Sequence, residues 1–169
     1  YGSSGTGTGA HLAGELFRAS AGIQLTHVPY KGGSALMPDL MAGRLQLTFA
    51  TLPSSLPFVK TGKLKALAVL LPKRWNLLPQ VPTAVEAGVP PLTAGTWAAL
   101  FGPARLPMDI ANRMSRAMAE AMARPEVKEK IDNLGFDLAS STPAEMAVFM
   151  PEQLQAWSKA FADAGLQPE

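Results

Sequence analysis

The sequence predicts an α/β fold, and three observations predict it. Short β-prone apolar segments alternate along the chain with segments of helical period. One of them, KALAVLL at residues 65–71, is apolar without alternation, the pattern of a strand in a parallel sheet covered on both faces. The composition is that of a globular chain: of 169 residues, 47% are hydrophobic and 17% charged, and no apolar run approaches the ~20 residues of a membrane-spanning helix.

The elements follow in order. Residues 1–9, YGSSGTGTG, carry four glycines and four serine or threonine hydroxyls. His11 to Ala21 then reads as a helix, with Leu12, Leu16 and Phe17 at three- and four-residue steps and Gly22 as its stop. LTHVPY (25–30) reads as a strand, broken by Lys31-Gly32-Gly33 before a helix that contains Leu36, Leu40 and Met41, with Pro38 placed near its first turn. LQLTFA (45–50) is the next strand, PSSLPFVKTG (53–62) a short helical turn, and KALAVLL a buried strand.

From Pro72 to Gly95 the chain is proline-rich, with one short helix at AVEAG, and reads as a loop leading to a domain boundary. TWAALFGP (96–103) is a further apolar strand. Ile110, Met114, Met118 and Met122 recur every four residues, and core packing is the expected use of that stripe. A helix over about 126–134 follows. In the last helix Thr142 caps, Pro143 takes the first position and Glu145 completes a capping box; Met146, Phe149, Leu154, Trp157 and Phe161 mark the buried side, and Pro151 predicts a kink or break near 148–150. The strand at 96–103 and its helices need a sheet to cover, which the first lobe's own helices use up. A missing N-terminal half or a partner chain is expected to supply that layer. The lack of an initiator methionine or signal stretch at Tyr1 points to a chain cut from something longer.

Charge divides unevenly. Residues 1–90 hold eight bases against three acids, and the remainder seven against ten. A positive first half fits an anionic partner or a solvated basic surface. The bases are scattered and lack interleaved aromatics, so nucleic acid is not expected. There is no cysteine, and the two histidines, His11 and His27, lack metal-ligand spacing, so no metal and no cofactor are expected. His27, in an apolar segment, reads as a structural histidine.

The glycine-rich loop carries the clearest chemistry. Glycines let backbone N–H groups turn toward a ligand, hydroxyls add short hydrogen bonds, and the following helix presents its positive end to the same point. Together they suit a carboxylate or phosphate; a flexible lead or a plain N-cap is the competing reading. A phosphate-binding P-loop fails because Thr8-Gly9 stand where Lys and Ser or Thr are required. The spacing of Gly5, Gly7 and Gly9 misses the dinucleotide fingerprint, and GSSG is not a nucleophile elbow. An α/β hydrolase or transferase using the loop as an anion or oxyanion site is the alternative function. It would need an acid and a base nearby, and residues 1–90 offer Glu15, Asp39, Glu86 and two histidines. No catalytic residue is assigned.

The succession YGSSGTGTGAHLAGELF, THVPYKGG, GRLQLTF, KTGKLKALAVLLPKR, LPQVPTAVEAG and GTWAALFGPARLP resembles the substrate-binding proteins of tripartite tricarboxylate transporters, the Bug-type receptors. The resemblance runs through the whole chain, including the ending PEVKEKIDNLGFDLASSTPAEMAVFM. It implies a periplasmic-binding-protein-like fold with one complete α/β lobe at residues 1–93, the second of the family's two, and a strand with helices at 96–169 returning to the first lobe, which is incomplete in this chain. It further implies a periplasmic receptor for a small carboxylate, working with the membrane components of such a transporter. By the same resemblance the ligand loop falls on Ser3, Ser4, Gly5, Thr6, Gly7, Thr8 and His11, and a second contacting turn on Tyr30, Lys31, Gly32 and Gly33. Many relatives carry an acidic residue after the strand phenylalanine, where this chain has Ala50. That departure points to a plain carboxylate rather than an amino acid. Exposed apolar surface on such a fragment is expected to favour dimers.

Overall fold

The computed structural model describes residues 1–89, 97–134 and 136–166. These fall into two compact units, one formed by residues 1–89 with 159–166 and the other by residues 97–158. The expected domain boundary at 93–96 lies outside the described residues.

In the first unit, β1 (Gly2–Ser3) pairs in parallel with β2 (Val28–Pro29), in the register Gly2 to Val28 and Ser3 to Pro29. On its other edge Gly2 makes an isolated parallel bridge to Thr48, with Gly2 N–H donating to Leu47 O at 3.1 Å. The segment at 1–3 is therefore central, with the predicted strands 25–30 and 45–50 on either side. Both are far shorter than expected. A central strand of two residues offers few ladder partners before the chain turns at Gly5, and Pro29 has no N–H to add.

Three helices follow from this frame. α1 (Gly9–Ala21) is capped by Thr8, whose Oγ1 accepts from His11 N–H, and is closed by Gly22 at φ 64°. α2 (Gly33–Met41) starts after Gly32. Pro38 is its sixth residue, past the first turn where the sequence placed it, so α2 forgoes the bond to Ser34 O and ends three residues later. α3 (Leu52–Lys60) is a full helix rather than a turn. Two apolar clusters pack against it. Leu36, Met37 and Leu45 gather Phe58 and Ala50, while Leu56, Val69, Trp75, Leu78 and Val81 gather Leu52 and Val59.

KALAVLL is not the doubly covered strand its composition predicts. Val69 is buried, but Leu67 is 65% exposed, and the ladder is a single bridge in which Val69 N–H bonds Pro82 O and Ala84 N–H bonds Val69 O, each at 2.9 Å. Ala66 and Leu71 pack on the same cluster as Val69, while Leu67 between them is left uncovered. The AVEAG segment is a turn held by a capping box that the sequence reading missed: Thr83 N–H donates to Glu86 Oε2 at 2.8 Å and Glu86 N–H to Thr83 Oγ1 at 3.1 Å.

The second unit is helical: α4 (Met108–Met122), α5 (Pro125–Leu134) and residues 143–158 of α6 (Pro143–Asp163). The capping box of α6 forms as predicted, Thr142 N–H reaching Glu145 Oε2 at 2.7 Å and Glu145 N–H reaching Thr142 Oγ1 at 3.2 Å. The predicted break at Pro151 does not occur, because losing one i to i−4 bond leaves the helix on both sides intact. Residues 97–103 form no strand, having no ladder partner among the described residues, and Leu100 and Phe101 are exposed; Thr96 lies outside the described residues. The stripe on α4 is not core either: Ile110, Met114 and Met118 are each about 40% exposed or more. Periodicity identifies the face that seeks cover, and the described residues put no second layer on it.

Candidate functional site

The turn between β1 and α1 is built by its own polar groups. Ser3 is fully buried, and its Oγ both accepts from Gly5 N–H and donates to Gly5 O, each at 3.1 Å. Gly5 O also accepts the Thr8 hydroxyl at 2.7 Å. Gly5 and Gly7 have φ of 139° and 73°, conformations that a side chain would strain. The second turn is tied to the first, with Tyr30 N–H donating to Ser3 O at 3.0 Å and Gly32 N–H to Ser4 O at 3.1 Å.

These turns open on a cavity of about 250 Å3 lined by Ser4, Ala10, Gly33, Ser34, Leu36, Phe49, Ala50, Thr51 and Ser54. Its walls include the starts of α1, α2 and α3: Ala10 of α1, Gly33 and Ser34 of α2, and Thr51 with Ser54 at the start of α3. First-turn N–H groups have no partner inside their own helix. Thr8 Oγ1 takes that of His11, which leaves those of Gly9 and Ala10 without an acceptor among the described residues. Each helix end carries roughly half an elementary positive charge. Among the described residues no charged side chain lines the space, so its sign comes from the backbone, and Leu36, Phe49, Ala50 and Ala10 supply an apolar side for a short hydrocarbon. Such a cavity suits a small anion with a carbon chain.

Of the residues singled out by sequence, Ser4, Gly33 and Ala50 line the cavity. Ser3, Gly5, Thr8 and His11 form the layer beneath that holds the turn, while Thr6, Gly7 and Lys31 are solvent-facing. Tyr30 contributes its backbone; its hydroxyl donates to Asp39 Oδ2 at 2.6 Å. Ser34, Thr51 and Ser54 escaped the sequence reading. Their signal was there in the T-x-x-S spacing ahead of an apolar helix and in a serine directly after Gly32-Gly33.

Behind the turn is a polar and aromatic cluster. Tyr1 Oη donates to Glu15 Oε1 at 2.8 Å, and Arg18 Nε to Glu15 Oε2 at 2.8 Å. The Tyr1 ring stacks on His27 at 5.0 Å and meets Phe49 edge-on at 5.8 Å. Burial alone would raise the pKa of Glu15, but the bonds from Tyr1 and Arg18 outweigh it and hold the carboxyl below its ordinary value. His27 is pushed down from the ordinary 6.5, first by burial and then by the neighbouring His11. Both shifts act on stability in one direction. A depressed histidine is protonated more readily unfolded, so its share of stability is complete above about pH 6.5 and drains as pH falls toward its folded pKa. The depressed Glu15 adds a second loss at lower pH, below its ordinary 4.5. Melting temperature is therefore expected to fall in two stages on acidification, with His27→Asn removing the first and Glu15→Gln the second; a flat profile between pH 7 and 5 would contradict this.

A family model described as tripartite tricarboxylate transporter family receptor matches residues 1–166. Among curated relatives, a UPF0065 protein in the tcbD-tcbE intergenic region of Pseudomonas sp. strain P51 is 34% identical over 160 residues, 94% of this chain and 48% of that protein. Among solved structures, R. palustris Rpa4515 with adipate aligns with a TM-score of 0.94 at 32% identity, over 100% of this chain and 56% of that one. MatC (Rpa3494) from Rhodopseudomonas palustris with bound malate aligns at 0.75 and 25% identity, over 89% and 52%. The chain thus spans about half the length of each of these three proteins.

Proposed function

The chain belongs to the tripartite tricarboxylate transporter receptor family, and from that premise we propose that it is the ligand-gripping part of an extracytoplasmic receptor for a small organic carboxylate. In this reading the receptor works in the periplasm and delivers its ligand to a tripartite membrane transporter. One observation carries it: three helix N-termini border one small cavity that has apolar walls and, among the described residues, no charged side chain. The adipate and malate of the similar structures are ligands of the chemistry this cavity suits. A carboxylate would be held by the turn Ser3–Thr8, with Ser4 in contact and His11 behind it, by the second turn Tyr30–Gly33 with Lys31 at its rim, and beside Ala50.

A nucleophilic enzyme is the second reading, because Ser3 Oγ lies 2.6 Å from His27 Nε2. Against it, Ser3 is fully buried and its oxygen is bound to Gly5, and among the described residues His27 has no hydrogen bond to a carboxylate, its face being stacked on His11 instead. A buried oxygen has no path to a substrate carbon.

Charge-assisted hydrogen bonds contribute about 1.5–3 kcal/mol each, before the costs of ordering the ligand. The described cavity offers few of them. Titration of the 169-residue chain is accordingly expected to show saturable but weak binding of adipate, malate or glutarate, and weaker binding of glutamate, whose amino group finds no carboxylate at Ala50. Glutamate binding tighter than glutarate would refute the specificity, and absence of binding by every carboxylate would refute the function.

A further inference from the structure

Beneath the glycine turn two imidazoles lie face to face, the His11 and His27 centroids 4.0 Å apart with 11° between their planes. Each ring holds one end of the turn. His27 Nε2 shares a 2.6 Å hydrogen bond with Ser3 Oγ, and His11 Nδ1 accepts the Gly7 N–H at 3.2 Å. From Ser3 the linkage passes to Gly5, from Gly5 O to the Thr8 hydroxyl, and from Thr8 to the capped end of α1, whose Ala10 lines the cavity.

The bond from Gly7 has a chemical requirement. It needs the lone pair of His11 Nδ1, which exists only while that nitrogen carries no proton. Protonation turns Nδ1 into a donor facing another donor. Stacking adds a second restriction, since a charge on one ring disfavours a charge on the other. The remaining groups that face the pair are the Tyr1 ring and amino nitrogen and the Glu15 carboxylate. Glu15 attracts an imidazolium, but its oxygens are bonded to Tyr1 Oη and Arg18 Nε.

We propose that the His11–His27 pair is a proton-operated latch for the anion cradle. With both rings neutral the pair holds the Ser3–Gly7 turn in its binding shape, and a proton on His11 Nδ1 releases Gly7 and lowers affinity for the anion. The effect acts through preorganisation: Gly7 sits at φ 73°, and without its anchor the turn must be ordered again each time a ligand binds. The proposal rests on the cavity being a carboxylate site.

The test uses nuclear magnetic resonance on the 169-residue chain, with adipate as probe. Without ligand, the Gly7 amide is expected to shift with pH along the same curve as the imidazole resonances. In His11→Asn, whose Oδ1 keeps an acceptor near the Nδ1 position but does not titrate, the Gly7 amide should be flat. Adipate affinity of the wild type should fall several-fold between about pH 7.5 and 5.5, because the form with a proton on His11 Nδ1 lacks the anchor for Gly7. The same ratio should be near unity in His11→Asn. A Gly7 amide that ignores the imidazole titration overturns the latch. So does an equal loss of affinity in the variant, which would place the effect in the ligand's own carboxyls, or an affinity that rises on acidification by simple attraction. If adipate binds at neither pH, the carboxylate reading fails, while the amide curves still decide the latch. Should His11→Asn not fold, the wild-type Gly7 curve decides alone.

Discussion

Replacing Ala50 by aspartate is expected to abolish binding of plain dicarboxylates. Ala50 lines the cavity beside Phe49 and directly precedes Thr51, the N-cap of α3. A carboxylate introduced there takes the place of the ligand's own: it sits at the positive end of α3 and repels a second anion in the same 250 Å3 space. Juxtaposed like charges in a binding site cost several kcal/mol, so affinity for glutarate should drop about a hundredfold, or about 3 kcal/mol. The same substitution supplies a partner for an amino group, so glutamate should lose far less and the preference between the two should invert. Ala50 also packs with the Leu36, Met37 and Leu45 cluster, so melting curves must accompany the titration. Glutarate binding within threefold of the wild type, in a folded variant, would show that the ligand is held elsewhere.

What was legible in the sequence, and what was not, follows from how far each signal reaches. Helices with caps were legible because those signals are local, whereas α3 was read as a turn and the AVEAG turn as a helix. Thr8 and Gly22 bracket α1, and Thr142 with Glu145 starts α6, each through hydrogen bonds to neighbours three or four residues away. The strands were overestimated. LQLTFA and KALAVLL have the right side chains, but a strand's length is set by its partner, and the partners here are two residues or one bridge. The buried role of the α4 stripe failed for the same reason, since cover is a tertiary fact. At the site, the tight turn over Ser3–Thr8 was legible from its glycines and hydroxyls, but of its residues Ser4 alone is among those that line the cavity. The convergence of α2 and α3 on the same cavity was not, because residues near 10, 34 and 54 meet only after β1 aligns with Val28 and Thr48. The stacked histidines were hidden likewise: sixteen positions separate them in the chain, and nothing local brings His27 onto His11.

Gly14→Ala is the second large effect, and its sign is informative. At an exposed position inside a helix, alanine is more favourable than glycine by about 1 kcal/mol, so the generic expectation is a gain. In α1 the new methyl would lie 2.2, 2.4 and 2.8 Å from the Cε2, Cζ and Oη atoms of Tyr1. That ring has little freedom to withdraw. It stacks on His27, meets Phe49 edge-on, and donates to Glu15 at 2.8 Å. Moving it gives up a hydrogen bond to a charged group and overfills a buried layer, each worth on the order of 1–3 kcal/mol. The net loss should be about 3 kcal/mol, a melting temperature lower by about 10 °C for a chain of this size. A double-mutant cycle separates the clash from any helix effect. In a Tyr1→Ala background the ring is gone, and the added methyl should become neutral or stabilising, giving a coupling of a few kcal/mol. A wild-type or raised melting temperature for the single variant would mean that Tyr1 does not pack on α1. The buried layer that supports the glycine turn would then be wrongly placed, and with it the ring that stacks on His27.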